Sequence, residues 1–320
     1  AEVDGFALET EVGLFAMKRE QVYRAMQPFQ KAGVELDIIQ LAPLCIYNVV
    51  SYDILDRAEG AEDYDPENPP PSVVVLSMGT DTTDLVITNG YRVWQRSIPL
   101  GGNHFTKQLT KELKLTFAKA EHLKRNARQA EDPKMVFQAM RPVFNDLVTE
   151  VQRSIGYFQG IDRKAKIGGV VILGNAVKLP GLQQYLSKNL GYEVKNFQAF
   201  DKLHGDSVLS APAFKDNQLS YGVCYGLCLQ GLEQSELRTN LVPGEVVTER
   251  LVRAKKPWAV ATLGALLLAC TFNFFFYYGS WRQVSEDREV EGVSWASASQ
   301  AIKNAQDRSS TYKGDDAKLE

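Results

Sequence analysis

The stretch Trp258–Tyr278, WAVATLGALLLACTFNFFFYY, runs for 21 residues without a charged side chain. Coiled into a helix it would reach about 30 Å, the depth of a bilayer's hydrocarbon core. A buried helix of a soluble protein usually keeps a polar stripe, and here the sole strongly polar interruption is Asn273. The run therefore reads as a transmembrane helix, and its position deep in the chain excludes a signal peptide. Arg250, Arg253, Lys255 and Lys256 crowd its N-terminal side, whereas Arg282 is followed by Glu286, Asp287, Glu289 and Glu291. By the positive-inside rule, residues 1 to about 257 are cytoplasmic and the remainder is exported. Trp258, Tyr277, Tyr278 and Trp281 stand where interfacial aromatics belong.

The rest of the 320 residues is long enough for one large domain or two lobes with appendages. With 36 basic and 39 acidic residues the net charge is −3, and the isoelectric point near 5.8 excludes a general nucleic-acid binder. Cys45, Cys224, Cys228 and Cys270 form no Cys-x-x-Cys pair, and His104, His122 and His204 are scattered. That pattern argues against a disulfide scaffold or a metal centre and for a reducing compartment. A second boundary is the acidic, proline-rich stretch 59–72, which reads as a surface loop because its prolines admit neither a helix nor an inner strand.

Before that loop, Val12–Met17 has the length of a strand, Arg19–Lys31 carries apolar residues at helical spacing, Val34–Leu41 alternates as a strand, and Pro43–Leu55 reads as a helix. After it come strands at Val73–Ser77, Leu85–Thr88 and Tyr91–Ser97, with a polar turn at Asp81–Asp84 and an Asn89-Gly90 hairpin. Helices are expected over about 103–113, 116–129 and 134–160, then a strand at Gly169–Leu173 and a glycine-rich turn into a helix after Pro180. Mixed strands and helices make the class α/β.

Two turns carry the chemistry. In Ser77-Met78-Gly79-Thr80-Asp81-Thr82-Thr83-Asp84, a glycine, exposed backbone N–H groups and adjacent hydroxyls sit between apolar strands and can wrap phosphate oxygens. The same residues serve equally as plain turn formers. In Val171–Leu182, VILGNAVKLPGL, a strand stops at Gly174 and backbone can lie flat against a planar ring. Between them Glu121 and Lys124 share a helix face, either to meet a ribose or as a surface ion pair.

Together with Arg96–Asn103 (RSIPLGGN), Ala120–Lys124 (AEHLK) and Glu150–Ser154 (EVQRS), these turns resemble the PilM family of type IV pilus assembly, relatives of FtsA, over roughly residues 10–232. The resemblance implies an actin-like (ribonuclease H-like) two-lobed α/β fold, N-terminally truncated here, plus the one transmembrane helix. It implies ATP and magnesium as cofactors, with Gly79, Thr82 and Thr83 at the phosphates, Glu121 and Lys124 at the ribose, and Gly174 and Asn175 at the adenosine. Ser77 stands where the family usually has an aspartate, Asn175 where it has a second glycine, and the first phosphate hairpin has no counterpart before Val12. Nucleotide binding is accordingly expected to be weak or absent, without efficient hydrolysis and without catalytic or metal-binding residues.

Leu237–Gly244, LRTNLVPG, resembles the Asn-Leu-Leu-Pro motif that opens PilN, a single-span protein whose N-terminus docks in a groove of PilM. Asn240, Leu241, Val242 and Pro243 are thus the expected docking residues, and the chain resembles a PilM–PilN fusion. The division that follows is a first-lobe remnant (1–58), the acidic loop (59–72), the second lobe with a return to the first (73–236), a docking and basic segment (237–257), the span (258–278) and an exported polar, coil-forming segment (279–320). The expected role is a membrane-tethered scaffold of a type IV pilus or type II secretion-like machine. Its expected partners are inner-membrane alignment proteins, cytoplasmic motor components and itself through the 240–243 motif, with no nucleic acid. The alternatives are an ATP-hydrolysing protein whose first phosphate hairpin lies outside this chain, and an FtsA-like division anchor, although an anchor of that kind reaches the membrane by an amphipathic helix.

Overall fold

Alternation along three apolar strands sets the centre of the structure. The computed structural model describes residues 2–3, 6–7, 13–55, 65, 67–198, 200–286 and 295–311. A short ladder joins β1 (Glu2–Val3) and β2 (Phe6–Ala7). The main sheet comprises β3 (Ser72–Met78), β4 (Thr83–Thr88), β5 (Val93–Ile98), β6 (Ile167–Leu173) and β7 (Val194–Asn196), in the order β5-β4-β3-β6-β7. The first three form an antiparallel meander, while β6 runs parallel to both β3 and β7.

Because side chains alternate along a strand, each strand feeds two cores. Val74, Leu76 and Met78 of β3, Leu85 and Ile87 of β4, and Val170 and Ile172 of β6 face one layer of helices. That layer contains α3 (Gly102–Leu113), α4 (Phe117–Arg125), α5 (Pro133–Ile161) and α6 (Leu182–Leu190). Pro133 at the first position and Asp132, whose carboxylate accepts from the Met135 N–H at 3.1 Å, start α5. Val75, Val86 and Leu173 face the other way. They pack with Ile46, Tyr47 and Val49 of α2 (Ala42–Val49), Phe197, Phe200, and Tyr225 and Leu229 of α9 (Gly222–Gly231). Helix α1 (Arg19–Lys31) and the short helices α7 (Asp206–Leu209) and α8 (Pro212–Asn217) complete residues 1–242, which form one compact unit. Cover on both faces explains why the central strands β3 and β6 read as nearly unbroken apolar runs.

Several expectations shift. Residues 13–17 of the run expected as a strand join no ladder among the described residues, and Leu14 is 89% exposed. A strand exists only where a neighbour takes its backbone bonds, and none does so here. Val34–Leu41 likewise joins no sheet among the described residues. The helix expected to end at Leu55 passes from α2 into a π-helical turn at Val50–Ile54. Thr83 and Asp84 belong to β4 rather than to the turn. The helix expected over 116–129 stops at Arg125 and resumes as a 3₁₀ turn, Ala127–Gln129. Half of the acidic loop, residues 59–64 and 66, lies outside the described residues, and Ser72 is already the buried first residue of β3.

Residues 243–320 form a second compact unit. Its helix α10 (Gly244–Glu286) passes through Pro257 and contains the whole apolar run, followed by α11 (Trp295–Thr311). The most apolar window of α10 has none of its residues buried. By length and composition α10 is a candidate membrane span. The acidic residues Asp287, Glu289 and Glu291 lie outside the described residues.

Candidate functional site

The parallel strands β3 and β6 are each followed directly by glycine, Gly79 and Gly174. In open α/β sheets the space beyond such carboxyl ends is where a ligand crevice forms. Gly174 has φ of +96° and approaches β3 so closely that a Cβ there would lie 2.3 Å from the Met78 carbonyl oxygen. A side chain at 174 would push the two strand ends apart.

The start of α3 closes over the same place. The Gly79 N–H donates to the Thr82 carbonyl (2.9 Å), the Gly102 N–H to the Gly79 carbonyl (3.0 Å), and the Asn103 N–H to the Thr80 carbonyl (2.7 Å). The Gly101 N–H donates to His104 Nδ1 at 3.1 Å. The first N–H groups of α3, which would otherwise favour an anion, are therefore spent inside the fold. A Cβ on Gly102 would lie 3.3 Å from that of Ala176 and 3.7 Å from Lys124 Nζ, so the 174–176 turn, α3 and α4 meet here.

Lys124 Nζ donates to the Gly102 carbonyl (3.0 Å) and to Thr106 Oγ1 (2.8 Å), and pairs with Glu121 at 2.7 Å. Thr106 Oγ1 lies 2.6 Å from Glu121 Oε2, and Arg125 Nε donates to Glu121 Oε1 at 2.9 Å. Burial pushes the Glu121 carboxyl up, but the bonds from Lys124, Thr106 and Arg125 outweigh it and hold it at about 2, from an ordinary 4.5. Because the folded value is depressed, its stabilising contribution is present above about pH 4.5 and lost as pH falls toward about 2. Melting temperatures measured across that window should fall less steeply for Glu121→Gln than for the wild type; parallel curves would show that the cluster does not hold the carboxylate down.

Gly79, Thr82, Gly174 and Asn175 lie beside the carboxyl ends of β3 and β6, and Glu121 and Lys124 meet them through the Gly102 carbonyl. Thr83 departs from its expected place: it shares the inward parity of Leu85 and Ile87, and its hydroxyl donates to the Leu100 carbonyl at 2.6 Å. Asn175 Oδ1 accepts from Ser220 Oγ at 2.7 Å. The polar groups expected at the nucleoside are held by partners within the fold, and the place expected for magnesium offers few ligands. Ser77 supplies no carboxylate, and both Asp81 oxygens already accept, Oδ1 from Asn103 (3.0 Å) and Oδ2 from Thr80 (3.1 Å). Those two bonds, from Asn103 first, lower the Asp81 carboxyl below its ordinary value. Among the described residues, no three metal-ligating side chains gather.

A second site is built on the extended segment 37–41. The Leu241 N–H donates to the Ile39 carbonyl (2.9 Å), the Ile39 N–H to Asn240 Oδ1 (3.1 Å), and Asn240 Nδ2 to the Asp37 carbonyl (2.8 Å). The Val242 N–H also donates to Asn240 Oδ1, at 3.0 Å. One carboxamide thereby does the work of a peptide unit between two backbones. The Thr239 carbonyl accepts from Gln40 Nε2 (2.7 Å) and Gln230 Nε2 (2.8 Å). Asn48, 1% exposed, brackets Leu237 by donating to its carbonyl (2.9 Å) and accepting from its N–H (3.0 Å). Val242 is buried, and Leu237 packs against the core shared by α2 and α9.

The connector after α9 is short, with Glu233 at φ of +60° and its carbonyl accepting from Arg238 Nη2 at 2.8 Å. It reaches the receptor segment of the same chain, so residues 237–242 are seated in cis. The residues that hold this segment, Gln40, Asn48 and Gln230, were not readable from sequence. The signal that could have found them was the isolation of Asn48 within LAPLCIYNVV and of Gln230 within LCLQGL, since a lone polar residue in an apolar helix needs a buried partner.

The model of a family described as type IV pilus assembly protein PilM matches residues 5–232. The cell division protein FtsA of Streptococcus pneumoniae serotype 2 is 24% identical over 213 residues, covering 60% of this chain and 43% of the relative. FtsA of Neisseria meningitidis serogroup B is 22% identical over 214 residues, covering 58% and 47%. The chain thus spans about half the length of the curated relatives it matches. A solved PilM-PilN type IV pilus biogenesis complex aligns with a TM-score of 0.53 and 24% identity over 67% of this chain and 58% of that one. This likeness concerns the fold, which is the actin-like one that the sequence led us to expect.

Proposed function

Because the chain belongs to the PilM family of type IV pilus assembly proteins, we propose that it is a membrane-tethered scaffold of the pilus inner-membrane subcomplex. In this reading residues 237–243 act as a built-in counterpart of the PilN segment, and α10 carries the body at the cytoplasmic face of the inner membrane with α11 on the exported side. The observation that carries it is the backbone-directed seating of Thr239–Val242 on residues 37–40. Extended peptides are captured in this way, backbone bonds supplying affinity and alternate side chains specificity. The apolar, uncovered α10 supports the tether, and the basic cluster Arg250–Lys256 supports its orientation.

The crevice beyond β3 and β6 holds nucleotide weakly in this reading and turns none over. Its cation and carboxylate satisfy each other, and its magnesium end has a serine in place of a carboxylate. The scaffold works by holding partners, with the docking surface as its adjustable part.

A competition experiment tests this. A labelled peptide covering Thr239–Arg250 should bind poorly to the wild-type chain, because the tethered copy occupies the receptor at an effective concentration in the millimolar range. Changing Asn240 and Leu241 to alanine in the protein empties the receptor, and the same peptide should then bind. Equal binding to both proteins, or to neither, would remove the docking role.

A further inference from the structure

Asn273 is the strongly polar side chain left inside the apolar run, and we propose that it is the hydrogen-bonding centre of a parallel homodimer of α10 within the bilayer. The inference rests on the reading of α10 as a membrane span. At 1.5 Å per residue Asn273 stands about 7 Å from the middle of the run, well inside a hydrocarbon core about 30 Å thick. The two threonines of the run satisfy themselves on their own helix. Thr262 Oγ1 lies 3.0 Å from the Trp258 carbonyl oxygen and 2.9 Å from that of Ala259, and Thr271 Oγ1 lies 2.8 Å from that of Leu268. Among the described residues the Asn273 carboxamide makes no such bond. It offers two donor hydrogens and an accepting oxygen in a medium with no water to receive them.

A partner must therefore come from another helix, at the same depth. A second copy of this chain meets both conditions. Every copy enters the membrane with the same orientation, so each brings Asn273 to the same level. The carboxamide is also self-complementary, so across a two-fold axis each donates to the other's oxygen. The surroundings suit close approach: Ala261, Ala265 and Ala269 precede Asn273 at intervals of four on one helix row, whereas Leu263, Leu267 and Phe274 occupy the opposite side. A different single-span helix would need its own polar group at a matching depth.

The test uses full chains labelled at the N-terminus with donor or acceptor fluorophores and reconstituted into phosphatidylcholine vesicles over a range of protein-to-lipid ratios. Energy transfer should report dimers for the wild type. In Asn273→Leu the midpoint should move to a protein-to-lipid ratio about three- to thirty-fold higher. Asn273→Gln keeps the amide and should recover most of the transfer. Retention of the chain in the vesicles after alkaline washing reports the span separately. A chain stripped by alkali overturns both readings. A retained chain that shows no transfer, or the same transfer in Asn273→Leu, overturns the dimer and leaves the span standing.

Discussion

Replacing Gly226 by alanine should lower the stability of the 1–242 body by about 3 kcal/mol or more, which for a domain of this size is a fall in melting temperature of roughly 6–12 °C. Gly226 lies in the middle of α9, where the helix crosses α2. A Cβ there would sit 1.9 Å from the Cys45 carbonyl oxygen, 2.5 Å from its carbon and 2.8 Å from its Cα. All three are backbone atoms, so no rotamer relieves the overlap, and the helices must separate by more than about 1 Å to restore ordinary contact. That separation would lift Ile46, Tyr47 and Val49 of α2 from the core they share with Val75 and Val86 of the sheet. Alanine is the better helix former by about 1 kcal/mol, but the overlap costs more than that and sets the sign. The control is on the same helix: a Cβ on Gly231 would meet only Ile38 Cδ1, at 3.9 Å, so Gly231→Ala should melt within a few degrees of the wild type. Thermal denaturation of both variants decides the matter, and equal melting would show that α2 and α9 are not held at this distance.

The second large effect belongs to Asn48. Its carboxamide satisfies both the N–H and the carbonyl of Leu237, and the side chain is buried. Asn48→Ala leaves the Leu237 N–H without a partner and its carbonyl with only the 3.3 Å bond from Ser235 Oγ, and should weaken the seating of 237–242 by about 1–3 kcal/mol, roughly a 5- to 150-fold shift toward the released segment. Hydrogen exchange reads this directly, because the amides of Leu237, Leu241 and Val242 all donate within the seated arrangement. Their exchange should accelerate together, while amides of β3 and β6 stay protected. Acceleration confined to Leu237 would mean that residues 239–242 hold on without Asn48, and the proposed unity of the site would fail. The variant should also admit the exogenous peptide that the wild type excludes.

The sheet was legible because a strand buried on both faces leaves an unmistakable mark: Val73–Ser77 and Gly169–Leu173 are apolar at nearly every position, and each leads into the glycine that opens the crevice. Legibility failed where a local pattern has two physical causes. Val34–Leu41 alternates as a sheet strand would, but its backbone partner is a peptide some 200 residues away in sequence, and alternation carries no record of which partner supplies the bonds. Thr83 was misplaced for a different reason. Its hydroxyl chemistry suits phosphate, yet strand parity turns it toward the Leu100 carbonyl, and parity was the stronger constraint. The receptors Asn48 and Gln230 were hidden because a polar residue in an apolar helix announces that a partner exists without saying which one. Glu121 and Lys124 stand between these cases. Their spacing foretold a shared helix face, and the structure adds that Thr106 and the Gly102 carbonyl take up the remaining bonds.

Seating the 237–242 strip on the polypeptide that made it has an arithmetic outcome. Hook and eye are synthesised in a one-to-one ratio by every round of translation, so neither gene dosage nor dilution can leave one in surplus. Individual grips such as Val242 are then under little pressure to be tight, because the leash, not the fit, keeps the ends together.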